Sequence, residues 1–202
     1  MCKKLPIPIV ETIKKCCSVR TYQDKELEPD VREMLQSYMD NLENPFGMQV
    51  KKYIIDKKLA SEGEKLGTYG VIKGASTFMG ISVPDKDLAH VAAGYEFENL
   101  ILEATALGLG TVWLAATLNR EGFASAMGVP KNELFPAISP VGYPAAKRSL
   151  TESLMRTAMR SSSRKEWNTL FYLDNFQTPL HKDESGDYAE PLEMLRLAPS
   201  DK

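Results

Sequence analysis

The chain has 202 residues, 43% of them hydrophobic and 26% charged, enough apolar material for one compact core and too much for extended disorder. A formal net charge of -2 and a pI near 5.8 supply no broad attraction to nucleic acid or to an anionic membrane, so any anion site must be local. Cys2, Cys16 and Cys17 lack metal-site spacing and an even disulfide count, and Met1 to Val10 carries no long apolar run. A soluble cytoplasmic protein with reduced thiols is the expectation.

The first predicted element is a helix that closes on Lys14-Lys15-Cys16-Cys17-Ser18-Val19-Arg20-Thr21-Tyr22. Ser18 and Arg20, two residues apart beside two lysines, make a candidate anion grip. A hydroxyl and a guanidinium offer hydrogen bonds and charge to a phosphate, and the planar arginine fork also suits the polar edge of a flavin. Basic residues beside a helix C-terminus also complement the helix dipole, and that reading stays open. Glu28-Pro29-Asp30 then starts a second helix, with Val31, Met34, Leu35, Tyr38 and Leu42 spaced along one apolar face and Arg32 on the exposed side.

Met48 to Asp56 and Ser76 to Val83 read as strands. Leu88 to Leu109 is the longest apolar-rich stretch, but His90, Glu96, Glu98, Asn99 and Glu103 would be costly in lipid, so it is a buried helix. Gly108 and Gly110 end it, and Thr111 to Ala115 has the β-branched and aromatic character of a buried strand. Asn119 caps a helix that runs to Met127, with Gly128 and Pro130 as its stop. Ala137 to Tyr143 is a fourth strand, tolerating Pro140 only at an edge or bulge. Ser149 to Arg160 and Lys165 to Leu173 read as helices, Asp174 to Tyr188 as loop, and Glu190 to Leu197 as a last helix.

Most familiar site chemistries lack their residues. His90 and His181, the two histidines, sit in no metal-ligand spacing and beside no serine nucleophile. Gly108-Leu109-Gly110 follows a helix and precedes a strand, the reverse of a dinucleotide fingerprint, and no P-loop is present. An internal echo carries more. Ser18-Val19-Arg20-Thr21-Tyr22 precedes Glu28-Pro29-Asp30-Val31-Arg32-Glu33-Met34-Leu35, just as Ser163-Arg164-Lys165-Glu166-Trp167 precedes Glu190-Pro191-Leu192-Glu193-Met194-Leu195. The order points to two related halves, a core over residues 1–159 and a partial second half over 160–202 that extends across it.

These anchors, together with Tyr69-Gly70-Val71-Ile72-Lys73-Gly74-Ala75 and Gly108-Leu109-Gly110-Thr111-Val112-Trp113-Leu114, resemble the FMN-dependent nitroreductase family, in its compact branch with two half-repeats in one chain. The resemblance implies an α+β fold with a central, mostly antiparallel sheet flanked by helices, and FMN held between half-domains or protomers, with a homodimer as one arrangement. It implies FMN contacts from Ser18 and Arg20, from Lys73 at the flavin's polar edge, and from Thr111, Trp113 and Leu114 beside the ring. Arg164 and Lys165 would complete the phosphate grip, and Pro199 and Ser200 would add further flavin contacts. The bland readings stand alongside: Lys73 on a solvated loop, Trp113 as core, Arg164 and Lys165 as exposed helix charges.

The resemblance further implies ping-pong transfer, in which NADH or NADPH reduces the flavin and a nitroaromatic or quinone-like small molecule then accepts the electrons. No protein acid or nucleophile is required, so no catalytic residue and no metal are assigned. Two departures matter. Cys16 stands where many relatives carry an arginine, and Arg196-Leu197-Ala198-Pro199-Ser200 resembles the start of a motif that ordinarily continues to Gln-Pro-Trp, whereas this sequence stops at Lys202. A non-enzymatic flavin-binding or redox-sensing module with an incomplete site is therefore the alternative to an enzyme.

Overall fold

A computed structural model describes residues 7–59, 66–158 and 163–198 of the chain. The frame is a four-stranded sheet in the order β1-β2-β4-β3, from Lys51–Asp56 (β1), Thr77–Pro84 (β2), Gly110–Thr111 (β3) and Glu133–Gly142 (β4), with antiparallel pairing between all neighbours. Side chains alternate across β2, so Met79, Ile81 and Val83 face one layer while Phe78 faces the other. On the first side lie α2 (Pro29–Asn41) and α3 (Ala89–Ala106), packing Leu35, Met39, Phe97, Leu100 and Ile101 against the sheet. On the second lies α4 (Arg120–Ala126), whose Phe123 meets the ring of Phe78 at 5.0 Å between centroids. The chain is thus α+β, a central antiparallel sheet with helices on both faces.

α3 explains why the apolar-rich stretch is not a membrane span. Ala89, Ala92, Ala93 and Ala104 let it settle close to its neighbours, and Glu96, although 2% exposed, is fully occupied. One carboxylate oxygen of Glu96 accepts from Lys52 Nζ at 2.7 Å and the other from Asn44 Nδ2 at 2.6 Å, the pairing a buried charge requires. Among the described residues no helix is long and apolar enough to cross a membrane.

Three expectations need correction. β3 stops at Thr111 rather than running to Ala115, and pairing with β4 resumes only where Leu114 and Ile138 exchange backbone hydrogen bonds of 2.9 and 3.0 Å. Pro140 is the cause. It lies inside a strand paired on both sides, and strand alternation from Ile138 turns its ring nitrogen toward β3, where it has no hydrogen to give. The Val112 N–H donates instead to Ser139 Oγ at 3.1 Å, so the ladder skips the proline at no cost in unsatisfied donors. Lys165 to Leu173 holds only a 3₁₀ turn at Trp167–Thr169, because the buried Trp167 donates its indole N–H to Leu180 O at 2.8 Å and folds the chain back there. Asp174 to Tyr188 in turn contains two short 3₁₀ turns, Lys182–Glu184 and Gly186–Tyr188.

The remaining helices are α1 (Ile9–Lys15), α5 (Leu150–Ala158) and α6 (Ala189–Leu197), and α6 packs on α1. Both Glu-Pro pairs of the internal echo fall at helix starts, Pro29 as the first residue of α2 and Pro191 in the first turn of α6.

Candidate functional site

α1 ends because Cys16 turns extended, at φ -60° and ψ 125°, which sends Ser18 to Tyr22 across the end of the sheet. Val19 donates its N–H to Thr111 O at 2.8 Å, and Ser18 bridges Thr111 in parallel. Three residues on, Lys73 donates its N–H to Arg20 O at 2.9 Å and Tyr22 donates to Lys73 O at 2.8 Å. The extended segment is therefore stitched to Thr111 on one side and to Lys73 on the other. Ser18, Arg20, Lys73 and Thr111, which lie up to 93 residues apart in sequence, meet in one backbone network.

Two glycines make that approach physically allowed. A Cβ on Gly74, which sits at φ +74°, would come within 2.3 Å of Tyr22 O, and a Cβ on Gly110 within 2.8 Å of the Val19 side chain. Each belongs to a motif that the sequence singles out, and each is there to let the Ser18–Tyr22 strand through. Tyr22 then anchors the strand: its ring is buried and its hydroxyl donates to Val19 O at 2.6 Å. Burial, and after it the charge of Glu152, lifts the Tyr22 phenol well above its ordinary range, so it remains a neutral donor.

Thr111 is buried and Lys73 is exposed, giving the network one internal and one solvent-facing end. Trp113 turns its indole toward α3, donating Nε1–H to Glu98 Oε2 at 2.9 Å and meeting the Phe97 ring edge-on at 4.6 Å. Burial raises the Glu98 carboxyl above the usual carboxylate range, and the Trp113 hydrogen bond opposes the shift. Leu114 is 3% exposed within the Phe78 and Phe123 cluster, and its backbone N–H and C=O are paired with Ile138, so the structure places it as core rather than at a ligand. Arg164 donates from Nε and Nη2 to Leu197 O at 3.3 and 3.2 Å, capping the last turn of α6, while Arg196 Nη1 donates to Lys165 O at 3.2 Å. Pro199 and Ser200 lie outside the described residues.

One partner of this site had no local signal in the sequence. Thr21 donates its hydroxyl to Glu152 Oε2 at 2.7 Å and accepts the Ser149 N–H at 3.1 Å, which brings α5 onto the Ser18–Tyr22 strand from 131 residues away. Glu152 is 2% exposed, and its other oxygen lies 3.7 Å from Arg148 Nε. Cys16, in turn, is a half-buried thiol whose ionisation burial makes harder. It packs against the α3 core, and nothing about it suits an anion contact.

The donor set fits an anionic, polar-edged ligand. Ser18 and Thr111 carry hydroxyls, Arg20 a planar fork, and Lys73 a solvent-facing ammonium, all on a backbone held fixed by the hydrogen bonds above. Those features suit the phosphate and the pyrimidine edge of FMN.

Comparison with known proteins agrees on the fold. The crystal structure of a nitroreductase family protein from Clostridium difficile 630 is 19% identical, with 84% of this chain and 99% of that one aligned at a TM-score of 0.62. A nitroreductase with bound FMN from Bacteroides fragilis NCTC 9343 is 20% identical over 71% of this chain and 92% of its own, TM-score 0.56. A nitroreductase with bound FMN from Desulfitobacterium hafniense DCB-2 is 16% identical over 69% and 90%, TM-score 0.57. No curated protein matched. The family described as "Putative TM nitroreductase" matches residues 8–201, nearly the whole sequence, and with the fold in agreement this chain belongs to that nitroreductase family.

Proposed function

We propose that the protein is an FMN-dependent oxidoreductase that takes electrons from NADH or NADPH and passes them to nitroaromatic or quinone-like acceptors in a ping-pong cycle. The observation that carries this reading is the convergence of Ser18, Arg20, Lys73 and Thr111 on one hydrogen-bonded backbone, in a chain of this family. The relatives with bound FMN lend the cofactor its plausibility by analogy. FMN supplies the two-electron chemistry when bound, and the protein's part is to hold it, orient it and set the charge around it.

Within that division, Ser18 and Arg20 bind the anionic group, and Lys73 places a positive charge where an electron-rich ring edge is stabilised. The Thr111 backbone fixes the strand that carries them, and Trp113 supports the wall behind it through Glu98 and Phe97. The test is steady-state oxidation of NADH and NADPH with added FMN and a nitroaromatic or quinone acceptor. Parallel double-reciprocal lines are expected for ping-pong kinetics. Intersecting lines would refute the ping-pong cycle, and flavin that stays bound yet is never reduced would leave a flavin-binding or redox-sensing module instead.

A further inference from the structure

The segment through Tyr22 and the loop through Lys73 both run on past the site, and a cleft of about 750 Å³ opens between their continuations and the end of β1. Residues 24–26, 56–58 and 74–76 line it. Main-chain bonds fix its walls: the Lys57 N–H donates to Ser76 O at 2.7 Å, Ser76 Oγ donates to Lys25 O at 3.1 Å, and the Tyr22 N–H donates to Lys73 O at 2.8 Å beside the close-packed Gly74. Three lysines and three carboxylates belong to the lining. Asp56 is committed, accepting from Arg32 Nη1 at 2.8 Å and from Thr77 Oγ1 at 2.7 Å. Lys25 pairs with Glu28 and Lys58 with Glu26, each at 2.6 Å and with half or more of each side chain exposed, so these pairs are weak and easily exchanged. Asp24 and Lys57 remain, both exposed, and among the described residues their side chains make no hydrogen bond or ion pair.

We propose that this cleft holds the ADP-ribose arm of the nicotinamide donor, with Lys57 on the diphosphate and Asp24 on the hydroxyls of the adenosine ribose, so that NADH is taken in preference to NADPH. The inference rests on the flavin-dependent function proposed above, which requires such a donor. A bare anion matches the cleft poorly, because its carboxylates offset its lysines. A molecule that carries both phosphates and neutral hydroxyls matches both signs: an ammonium donates charge-assisted bonds to phosphate oxygens, and an ionised carboxylate, which only accepts, takes the ribose hydroxyls. A 2′-phosphate in place of the 2′-hydroxyl would set like charges against each other at Asp24. The position agrees as well. Gly74 directly follows Lys73 and Asp24 lies two residues after Tyr22, so the cleft adjoins the Lys73 end of the site. Its size falls within the range of about 300–1,000 Å³ usual for small-molecule sites.

The experiment titrates ADP-ribose into wild type, K57A, D24N and, as a control at the other end of β2, K86A, by calorimetry, and then measures KM and kcat for NADH and NADPH. We expect wild type to bind ADP-ribose, K57A to weaken it about 5- to 10-fold, and K86A to bind as wild type does. KM for NADH should rise by the same factor in K57A with kcat and FMN affinity unchanged, the mark of a contact remote from the chemistry. D24N should raise KM for NADH and lower it for NADPH, shifting their ratio about 10-fold. A wild type that does not bind ADP-ribose, equal binding by K57A and wild type, or an unchanged NADH to NADPH ratio in D24N would overturn the inference. The flavin reading is tested apart from the donor, by FMN uptake, reduction with dithionite and reoxidation by a nitroaromatic. A protein that passes that test yet leaves ADP-ribose unbound keeps the flavin and refutes the cleft. One that takes up no FMN refutes the flavin reading, and the dependence of ADP-ribose binding on Lys57 still decides the cleft.

Discussion

Arg20 and Arg32 carry the same guanidinium in different settings. Arg32, expected on an exposed helix face, instead donates to Asp56 Oδ1 at 2.8 Å and ties α2 to the edge strand β1, with a third of its side chain exposed. Arg32→Ala should therefore cost stability, on the order of 1 kcal/mol or less for a partly exposed pair, and leave flavin retention intact. Arg20→Ala should weaken FMN retention at least about 10-fold, the loss of a charged hydrogen bond to the ligand. Equal retention by the two variants, measured by flavin fluorescence after desalting, would remove Arg20 from the site. Glu98 yields a second prediction at this scale. Burial raises its carboxyl, so between the unfolded value near 4.5 and the higher folded value the native protein keeps a proton that the unfolded chain has lost. Stability from this group is thus fully present at low pH and declines as pH rises through that window. Glu98→Gln removes the decline, so the variant should melt higher than wild type at pH 7 and converge with it near pH 4. A variant that melts lower at pH 7 would mean that the ionised carboxylate's bond to Trp113 outweighs its burial.

At the scale of elements, glycines separate the tolerant places from the tight ones. Gly74→Ala puts a methyl group 2.3 Å from a backbone oxygen at a positive φ, so the Ser18–Tyr22 strand must shift, at about 2–3 kcal/mol, with loss of FMN binding. Gly94→Ala, inside α3 with nothing within 4 Å of the new methyl, should stabilise by about 0.5–1 kcal/mol, read as a higher urea midpoint. A Gly74→Ala variant that melts with wild type would contradict the close approach. Local rules were enough to find α2, α3 and α4, since Pro29, the alanine-rich stretch and the Asn119 cap act within a few residues, and Asn119 Oδ1 does accept from Gly122 N–H at 3.2 Å. They failed for the strand expected at Thr111 to Ala115, where Pro140 on the facing strand interrupts the ladder. They failed too for the helix expected from Lys165, where Trp167 is committed to Leu180. In each case the deciding partner lies 13 or more residues away, beyond the reach of periodicity.

For the whole molecule, the same distinction governs the site. Ser18, Arg20, Lys73 and Thr111 were legible as motifs because their residue types and order carry chemistry, and the structure joins them through main-chain hydrogen bonds. Glu152 and Glu98 were not, because a carboxylate on a helix reads as surface charge until the fold turns it inward. Arg164 and Lys165 were legible as a basic pair, yet the Arg164 guanidinium and the Lys165 main-chain oxygen both bond to the C-terminal end of α6, which packs on α1. Under the proposed function, FMN is held along the extended segment between Lys73 and Thr111. The most direct measurement is the visible spectrum of the purified protein, reconstituted with FMN and treated anaerobically with NADH or NADPH and then with a nitroaromatic. The account predicts bound flavin absorbance that bleaches with the nicotinamide and returns with the acceptor. A colourless protein that cannot be reconstituted with FMN would contradict it.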